Sequence, residues 1–282
     1  AEANENALRM ALKVTGRTKV LAITHGFHGR TAAAGAVTWN SDPWYTFPRK
    51  PFDVDFIPRD DVAAAQDMID DETAAVIFEP VQGVAGAYDL SIEFVETLRA
   101  ATTAAGAVLI ADEVQSGMGR SGQFFAVQAL NVVPDIMTSA KSLGGGIPCG
   151  AVLCSEETAG RFGAGALGTT FGGGPIAAAA ISATIDGILA EHLLANVRER
   201  EAQIREHCVV GPVRKIQGMG LLLGLVCDRP ATEVRDALLE NDILTGTSAD
   251  PAVLRILAPL VLQEEQVARL ADVLASIAPA TD

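Results

Sequence analysis

Apolar residues at positions 7, 8, 11 and 12 recur at helical spacing and predict a helix over 2–12. Glu2 and Glu5 put negative charge at its positive end, and Gly16 supplies its stop. The apolar run in 19–24 predicts a strand buried on both faces, as do the runs at 75–78 and 107–111. Between the last two, the periodic segment 94–100 reads as a helix. Strand, helix, strand implies a parallel sheet with right-handed crossovers. Short elements follow at 135–138 and 151–154, then an Ala-rich helical stretch from 176 to 207 with Gly187 inside it. The chain then alternates again, with strand 220–226, helix 232–239, strand 254–257 and a closing helix 264–277. The pattern predicts an α/β chain: a large domain over 1–180, with a mostly parallel central sheet flanked by helices, and a smaller C-terminal α+β domain over 181–282.

Composition narrows the partners. With 49% of 282 residues hydrophobic, the chain has ample material for a packed core. Its 35 acidic against 21 basic side chains give a net charge of -14, which repels a nucleic-acid backbone. No apolar run approaches the roughly 20 residues needed to span a bilayer, so no membrane association is expected. The start, Ala1-Glu2-Ala3-Asn4-Glu5, lacks the basic and apolar regions of a signal peptide, and the expected location is the cytoplasm. The chain enters its first helix without a methionine and reads as lacking the N-terminal part of a longer fold. Cys149, Cys154, Cys208 and Cys227 have no metal or redox spacing, and His25 and His28 have no third ligand nearby, so no metal is expected.

In an open parallel sheet, ligands bind beyond the carboxyl ends of the strands. Three apolar runs lead into polar residues there: Asp112-Glu113-Val114-Gln115, Glu79-Pro80-Val81-Gln82-Gly83, and Lys141 shortly after 135–138. Singly, Asp112 reads as a cap, Glu79 as a solvated strand end and Lys141 as a surface lysine. Together they supply what an electron-sink cofactor requires: an amine to form a Schiff base and a carboxylate to keep a pyridine nitrogen protonated. Gly144-Gly145-Gly146 allows close backbone approach, and Gly168-Thr169-Thr170-Phe171-Gly172-Gly173-Gly174 offers hydroxyl and amide groups to a phosphate. The chain has no Walker A loop, dinucleotide fingerprint or nucleophile elbow.

The segment Asp112-Glu113-Val114-Gln115-Ser116-Gly117-Met118-Gly119-Arg120-Ser121-Gly122 closely resembles the central signature of class III aminotransferases, pyridoxal-phosphate enzymes of fold-type I. Supporting segments occur in the family's order: Glu2-Ala3-Asn4-Glu5, Phe27-His28-Gly29-Arg30-Thr31, Glu79 to Gly83, Ser139-Ala140-Lys141, and Thr169-Thr170-Phe171. The resemblance implies pyridoxal 5'-phosphate as cofactor, with Lys141 as the Schiff-base lysine and Asp112 at the ring nitrogen. Phe27 and Val114 are expected on the two ring faces and Gln115 near the phenolic oxygen. Ala1, Glu79 and Glu113 complete the cofactor-binding set. Thr170 is expected to reach the phosphate of a second subunit, implying a homodimer with shared active sites, and Thr169 to lie near the substrate. Arg30 and Arg255 match carboxylate-binding arginines.

The implied reaction is ping-pong transfer of a terminal amino group from an amino acid, N-acetylornithine foremost, to a 2-oxo acid such as 2-oxoglutarate, as in arginine biosynthesis. Ornithine, 4-aminobutyrate, lysine and succinyl-diaminopimelate are alternative donors, and a noncatalytic truncated paralogue is a further alternative. Val84 departs from the pattern, standing where many members carry a glutamate that pairs with the equivalent of Arg255. Leu167 and Gly174 also differ from frequent family residues, on the expected dimer side.

Overall fold

The computed structural model describes residues 1–163 and 165–278. In chain order the elements are α1 (Glu2–Thr15), β1 (Lys19–Ile23), α2 (Ala32–Ala36), β2 (Asp53–Ile57), α3 (Val62–Met68), β3 (Thr73–Phe78), β4 (Val81–Gln82), β5 (Tyr88–Asp89) and α4 (Ile92–Ala105). There follow β6 (Val108–Asp112), β7 (Ile136–Ser139), β8 (Ala151–Cys154), α5 (Glu156–Gly160), α6 (Pro175–Ala190) and α7 (Leu193–His207). The chain closes with β9 (Val213–Met219), β10 (Leu222–Cys227), α8 (Ala231–Leu239), β11 (Gly246–Thr247), β12 (Val253–Ile256) and α9 (Glu264–Ser276).

Two compact units result. The first comprises Ala1–Pro80, Leu90–Gln115 and Val127–Asp186. Its six-stranded sheet has the order β2-β1-β3-β6-β7-β8, parallel except for β8, which runs antiparallel to β7. Every residue of β3 and β6 is buried, as expected for strands covered on both faces. The inner side chains of α1, including Ala7, Leu8 and Ala11, join Val20, Ile77 and Ile110 in one apolar core. Gly16 ends α1 in the left-handed conformation (φ 70°) that a Cβ would disfavour.

The second unit is assembled from Val81–Asp89, Ser116–Ala126 and Gly187–Asp282. Its four-stranded sheet has the order β11-β12-β10-β9, with α7, α8 and α9 contributing to a core around Leu223, Leu225 and Leu254. The early segments are integral to it: Asp89 accepts the N–H of Gly218 (2.9 Å), and Gln217 donates to the Gly86 carbonyl (3.0 Å).

Two expected elements differ. The helical stretch 176–207 is two helices, because α6 ends at Ala190 and His192 turns the backbone into the left-handed region (φ 53°) before α7 starts. The strand 220–226 is the second arm of a hairpin: Gly220 (φ 61°) lies in the turn, and β9 precedes it. No single described helix is long and apolar enough to cross a membrane.

Candidate active site

The strands β1, β3, β6 and β7 end on the same side of the parallel sheet, and the chemistry-bearing residues follow those ends. β6 finishes at Asp112, which lies opposite Thr138 of β7. The Asp112 side chain is buried, and its Oδ2 accepts from Asn4 Nδ2 (2.6 Å) and His28 Nδ1 (2.8 Å). Its Oδ1 accepts the N–H of Val114 (3.0 Å). Burial pushes this carboxyl up, but the hydrogen bond and charge of His28, the Val114 N–H and the Asn4 amide outweigh it. The group therefore lies below the ordinary carboxylate range and is ionised at neutral pH.

A carboxylate partner requires Nδ1 of His28 to carry the hydrogen. Its Nε2 is buried without a hydrogen-bond partner among the described residues. Gly26 makes room for this ring, since a Cβ there would meet Nε2 at 3.0 Å. The following turn is equally tight. Gly29 has φ 140°, and a Cβ on it would lie 2.6 Å from that of Ala1, so the loop carrying Phe27 and Arg30 is seated directly on the start of α1.

Glu79, just beyond β3, is 4% exposed and accepts the N–H of Phe27 (3.0 Å). Burial dominates and pushes its carboxyl up to about 7; nearby Asp112 acts in the same direction, while His28, the Phe27 N–H and Lys141 act against it. Folding therefore favours the protonated form. The resulting stabilisation is fully present below pH 4.5 and is lost as pH rises through about 7. A Glu79→Gln variant, which keeps the acceptor for Phe27, should lose this pH dependence and exceed the wild type in stability above pH 7. Urea midpoints from pH 4.5 to 8.5 test this, and parallel curves for the two proteins would refute it.

Lys141 follows β7 as the first residue of a short 3-10 turn, Lys141–Gly144, and its side chain is exposed. Its φ of 49° is costly for a residue with a Cβ, so the surrounding structure holds the backbone, and with it the direction in which the side chain leaves it. Its charge reaches Glu79, which also senses Asp112, placing all three groups in one electrostatic neighbourhood. Val114 and Gln115 continue from Asp112, half-buried, and the Gln115 Oε1 is buried with no partner among the described residues. Glu113 is buried and accepts the Val127 N–H (2.8 Å), anchoring the turn at 126–129.

Arg30 is exposed, with Cζ 5.3 Å from the ring centre of Trp44, whose ring also lies 6.4 Å from that of Phe27. Thr169 and Thr170 are exposed in the loop ahead of α6. Arg255, on β12 in the second unit, donates from Nη1 to the Gly83 carbonyl (3.1 Å) and borders a cleft of about 600 Å³ with Thr245 and Arg269. Hydrogen bonds and packing thus bring together Phe27 with Glu79 and His28 with Asp112, with Ala1 adjoining through Gly29, while Lys141 follows the end of the neighbouring strand β7. Sequence reasoning missed Trp44, Asn4 and Thr138 as parts of this site. For Asn4, the available signal was an amide on the apolar face of α1.

The family model for aminotransferase class-III matches residues 1–278. The chain belongs to the class-III aminotransferases. Relatives of this aminotransferase include the acetylornithine aminotransferase of Methanopyrus kandleri, 42% identical over 283 residues, covering 97% of this chain and 72% of that protein. A putative LysW-aminoadipate semialdehyde/glutamate semialdehyde transaminase of Pyrococcus furiosus is 40% identical over 268 residues, covering 94% of this chain and 70% of that protein. Among solved structures, the ornithine aminotransferase of Toxoplasma gondii, with pyridoxal phosphate at partial occupancy in its active site, matches with a TM-score of 0.90 and 28% identity. That match covers 98% of this chain and 71% of the other. The aminotransferase is thus a fold-type I transaminase that uses pyridoxal phosphate. The residues present fit that cofactor: a buried, ionised carboxylate suits a protonated ring nitrogen, the Lys141 amine suits an aldehyde, and Gln115 offers a polar side chain beside them.

Proposed function

We propose that this aminotransferase moves the terminal amino group of N-acetylornithine to 2-oxoglutarate, with Lys141 as the cofactor-binding lysine and Asp112 as the partner of the ring nitrogen. The observation that carries the residue assignment is the Asp112 carboxylate, buried yet ionised among Asn4, His28 and the Val114 N–H, in the same electrostatic neighbourhood as Lys141. The donor assignment draws on the acetylornithine aminotransferases among its relatives. When bound, pyridoxal phosphate supplies the electron sink for charge that develops at the donor carbon.

The chain's own residues do the rest. Lys141 would hold the cofactor through its amine and, with that amine free, would carry the proton to and from the donor carbon as general base. Asp112 keeps a proton on the ring nitrogen. Phe27 and Val114 would pack the faces of the ring, Gln115 would face the phenolic oxygen, and Ala1, Glu79 and Glu113 would complete the cofactor-binding set. The first compact unit serves as the cofactor domain, and the second, which takes in 81–89 and 116–126 besides the C-terminal part, as the small domain. Arg30 takes the donor's α-carboxylate in a planar, bidentate pair, and Thr169 lies beside it. Arg255, the second arginine of the resemblance, takes a carboxylate of the acceptor, and position 84, where many members carry a glutamate, is a valine.

The enzyme works as a homodimer in the cytoplasm, with Thr170 reaching the phosphate bound by the partner subunit. Phe171 and Ile176, 89% and 76% exposed, give Thr170 apolar surroundings for that subunit to cover. Sedimentation at micromolar concentration tests the dimer.

Arg30→Ala should raise KM for N-acetylornithine on the order of tenfold to a hundredfold, the loss of a charge-assisted pair, while KM for 2-oxoglutarate moves little. Arg255→Ala should do the reverse. A second reading, transfer onto a carrier-bound aminoadipate or glutamate semialdehyde, is favoured by the Pyrococcus furiosus relative. A panel of N-acetylornithine, ornithine, 4-aminobutyrate, lysine and succinyl-diaminopimelate, with carrier-linked semialdehyde as acceptor, separates the two; N-acetylornithine inert in both half-reactions would overturn the first.

A further inference from the structure

Asn4 sits in the first turn of α1, 1% exposed, and all its side-chain polar atoms are used. One Nδ2 hydrogen goes to Asp112 Oδ2 (2.6 Å) and the other to the His28 carbonyl (2.7 Å). Its Oδ1 accepts the hydroxyl of Thr138 (2.6 Å), the residue opposite Asp112 on β7. Only one placement of the amide works. Reversed, its oxygen would face a carboxylate and a carbonyl with no hydrogen between them, and its NH2 would face a hydroxyl already near Asp112 Oδ1 (3.4 Å). Thr138 and the His28 backbone therefore dictate which end of Asn4 meets Asp112.

We infer that Asn4, oriented by Thr138, is a positioning residue for the Asp112 carboxylate, holding Oδ2 in place and keeping the group an anion so that the shared proton stays on the cofactor's ring nitrogen. This rests on the reading of Asp112 as the ring-nitrogen partner. A buried carboxylate with a fixed donor on one oxygen can neither rotate freely nor readily take up a proton. The Val114 N–H holds Oδ1, and Asn4 and His28, from two different elements, both donate to Oδ2.

A merely structural Asn4 would tie α1 to the sheet, and its loss would lower stability without touching the ring nitrogen. The discriminating readout is the 15N resonance of the ring nitrogen in holoprotein loaded with 15N-labelled pyridoxal phosphate, followed with pH, alongside cofactor Kd. In Asn4→Ala the nitrogen should lose its proton at a pH lower by about one unit, and Kd should rise on the order of tenfold, the scale of one hydrogen bond to a charged group. Thr138→Val should shift both in the same direction by less, and Thr138→Ser, which retains the hydroxyl, should match the wild type.

Asp112→Asn serves as the reference. If it loses the protonated resonance while Asn4→Ala and Thr138→Val keep the wild-type titration and affinity, the inference on Asn4 is wrong and the reading of Asp112 stands. If Asp112→Asn also leaves the resonance unchanged, both fall. Should Asn4→Ala not fold, the contrast between Thr138→Val and Thr138→Ser decides alone.

Discussion

Lys141→Ala is expected to abolish transamination, lowering kcat by on the order of ten-thousandfold or more, the range seen when a covalent catalytic group is removed. The visible absorbance of bound pyridoxal phosphate should change with it, since no other amine is proposed to hold the aldehyde. The fold should survive. The Lys141 side chain is exposed, and exposed substitutions usually stay within about 0.5 kcal/mol of the wild type. Its backbone adds an independent check: at φ 49° an alanine remains strained, whereas Lys141→Gly should be the more stable of the two by roughly 1 kcal/mol. Glutamate formation, absorbance spectra and thermal melts on the three proteins give the answer together. Residual turnover near wild type in Lys141→Ala would remove this lysine from the mechanism.

Asp112→Asn should be the next most damaging change. It removes the charge expected at the ring nitrogen, and it sets an amide hydrogen against donors already aimed at the carboxylate from Asn4, His28 and Val114. Turnover should fall on the order of a hundredfold, as for a charge-assisted hydrogen bond lost in a dry site, and saturating cofactor should not restore it. Stability should fall as well, by about 1–3 kcal/mol for buried donors left unsatisfied. The pH dependence has a definite sign. Because folding lowers the carboxyl's pKa, its stabilising contribution is present above its ordinary value of 3.8 and is lost as pH falls through the folded value. The variant should therefore lose the wild type's added stability at neutral pH and show a flatter acid limb. Retention of full rate at saturating cofactor would contradict the proposed role of Asp112.

Sequence patterns reveal the elements whose burial is uniform or strongly periodic. β1, β3 and β6 are apolar runs because both faces are covered, and α1, α4 and α9 have clean apolar stripes. β2 escapes notice because it is an edge strand, paired on one side and reading Asp53-Val54-Asp55-Phe56-Ile57, with only Ile57 buried. β9 is hidden for a similar reason: Arg214 and Lys215 are both exposed on a strand that has only β10 as a neighbour in its sheet. The break between α6 and α7 leaves no trace in the periodicity, since Glu191 and His192 are compatible with a continuing helix.

At the candidate site, Asp112 and Lys141 are legible because each follows an apolar run and belongs to a motif. The residues that orient Asp112 are not. Asn4 lies 108 positions from Asp112 and 134 from Thr138, and no local pattern links a helix amide to a strand hydroxyl across such distances. Glu79 was legible as a strand-end acid, but its elevated pKa depends on burial and on neighbours from three other segments.

The second unit's construction from three stretches of chain bears on how the protein is made. Gly83 and Asp89 leave the ribosome well before the residues they bind, Arg255 and Gly218, and the Arg120 carbonyl waits for the N–H of Leu221. At typical synthesis rates the delay is on the order of ten seconds. During that time the nascent first unit carries two unfinished loops, at 81–89 and 116–126, whose partners do not yet exist. Slow translation of the C-terminal third, or its separate expression, would thus expose those loops to chaperones and proteases rather than yield two independently folding halves.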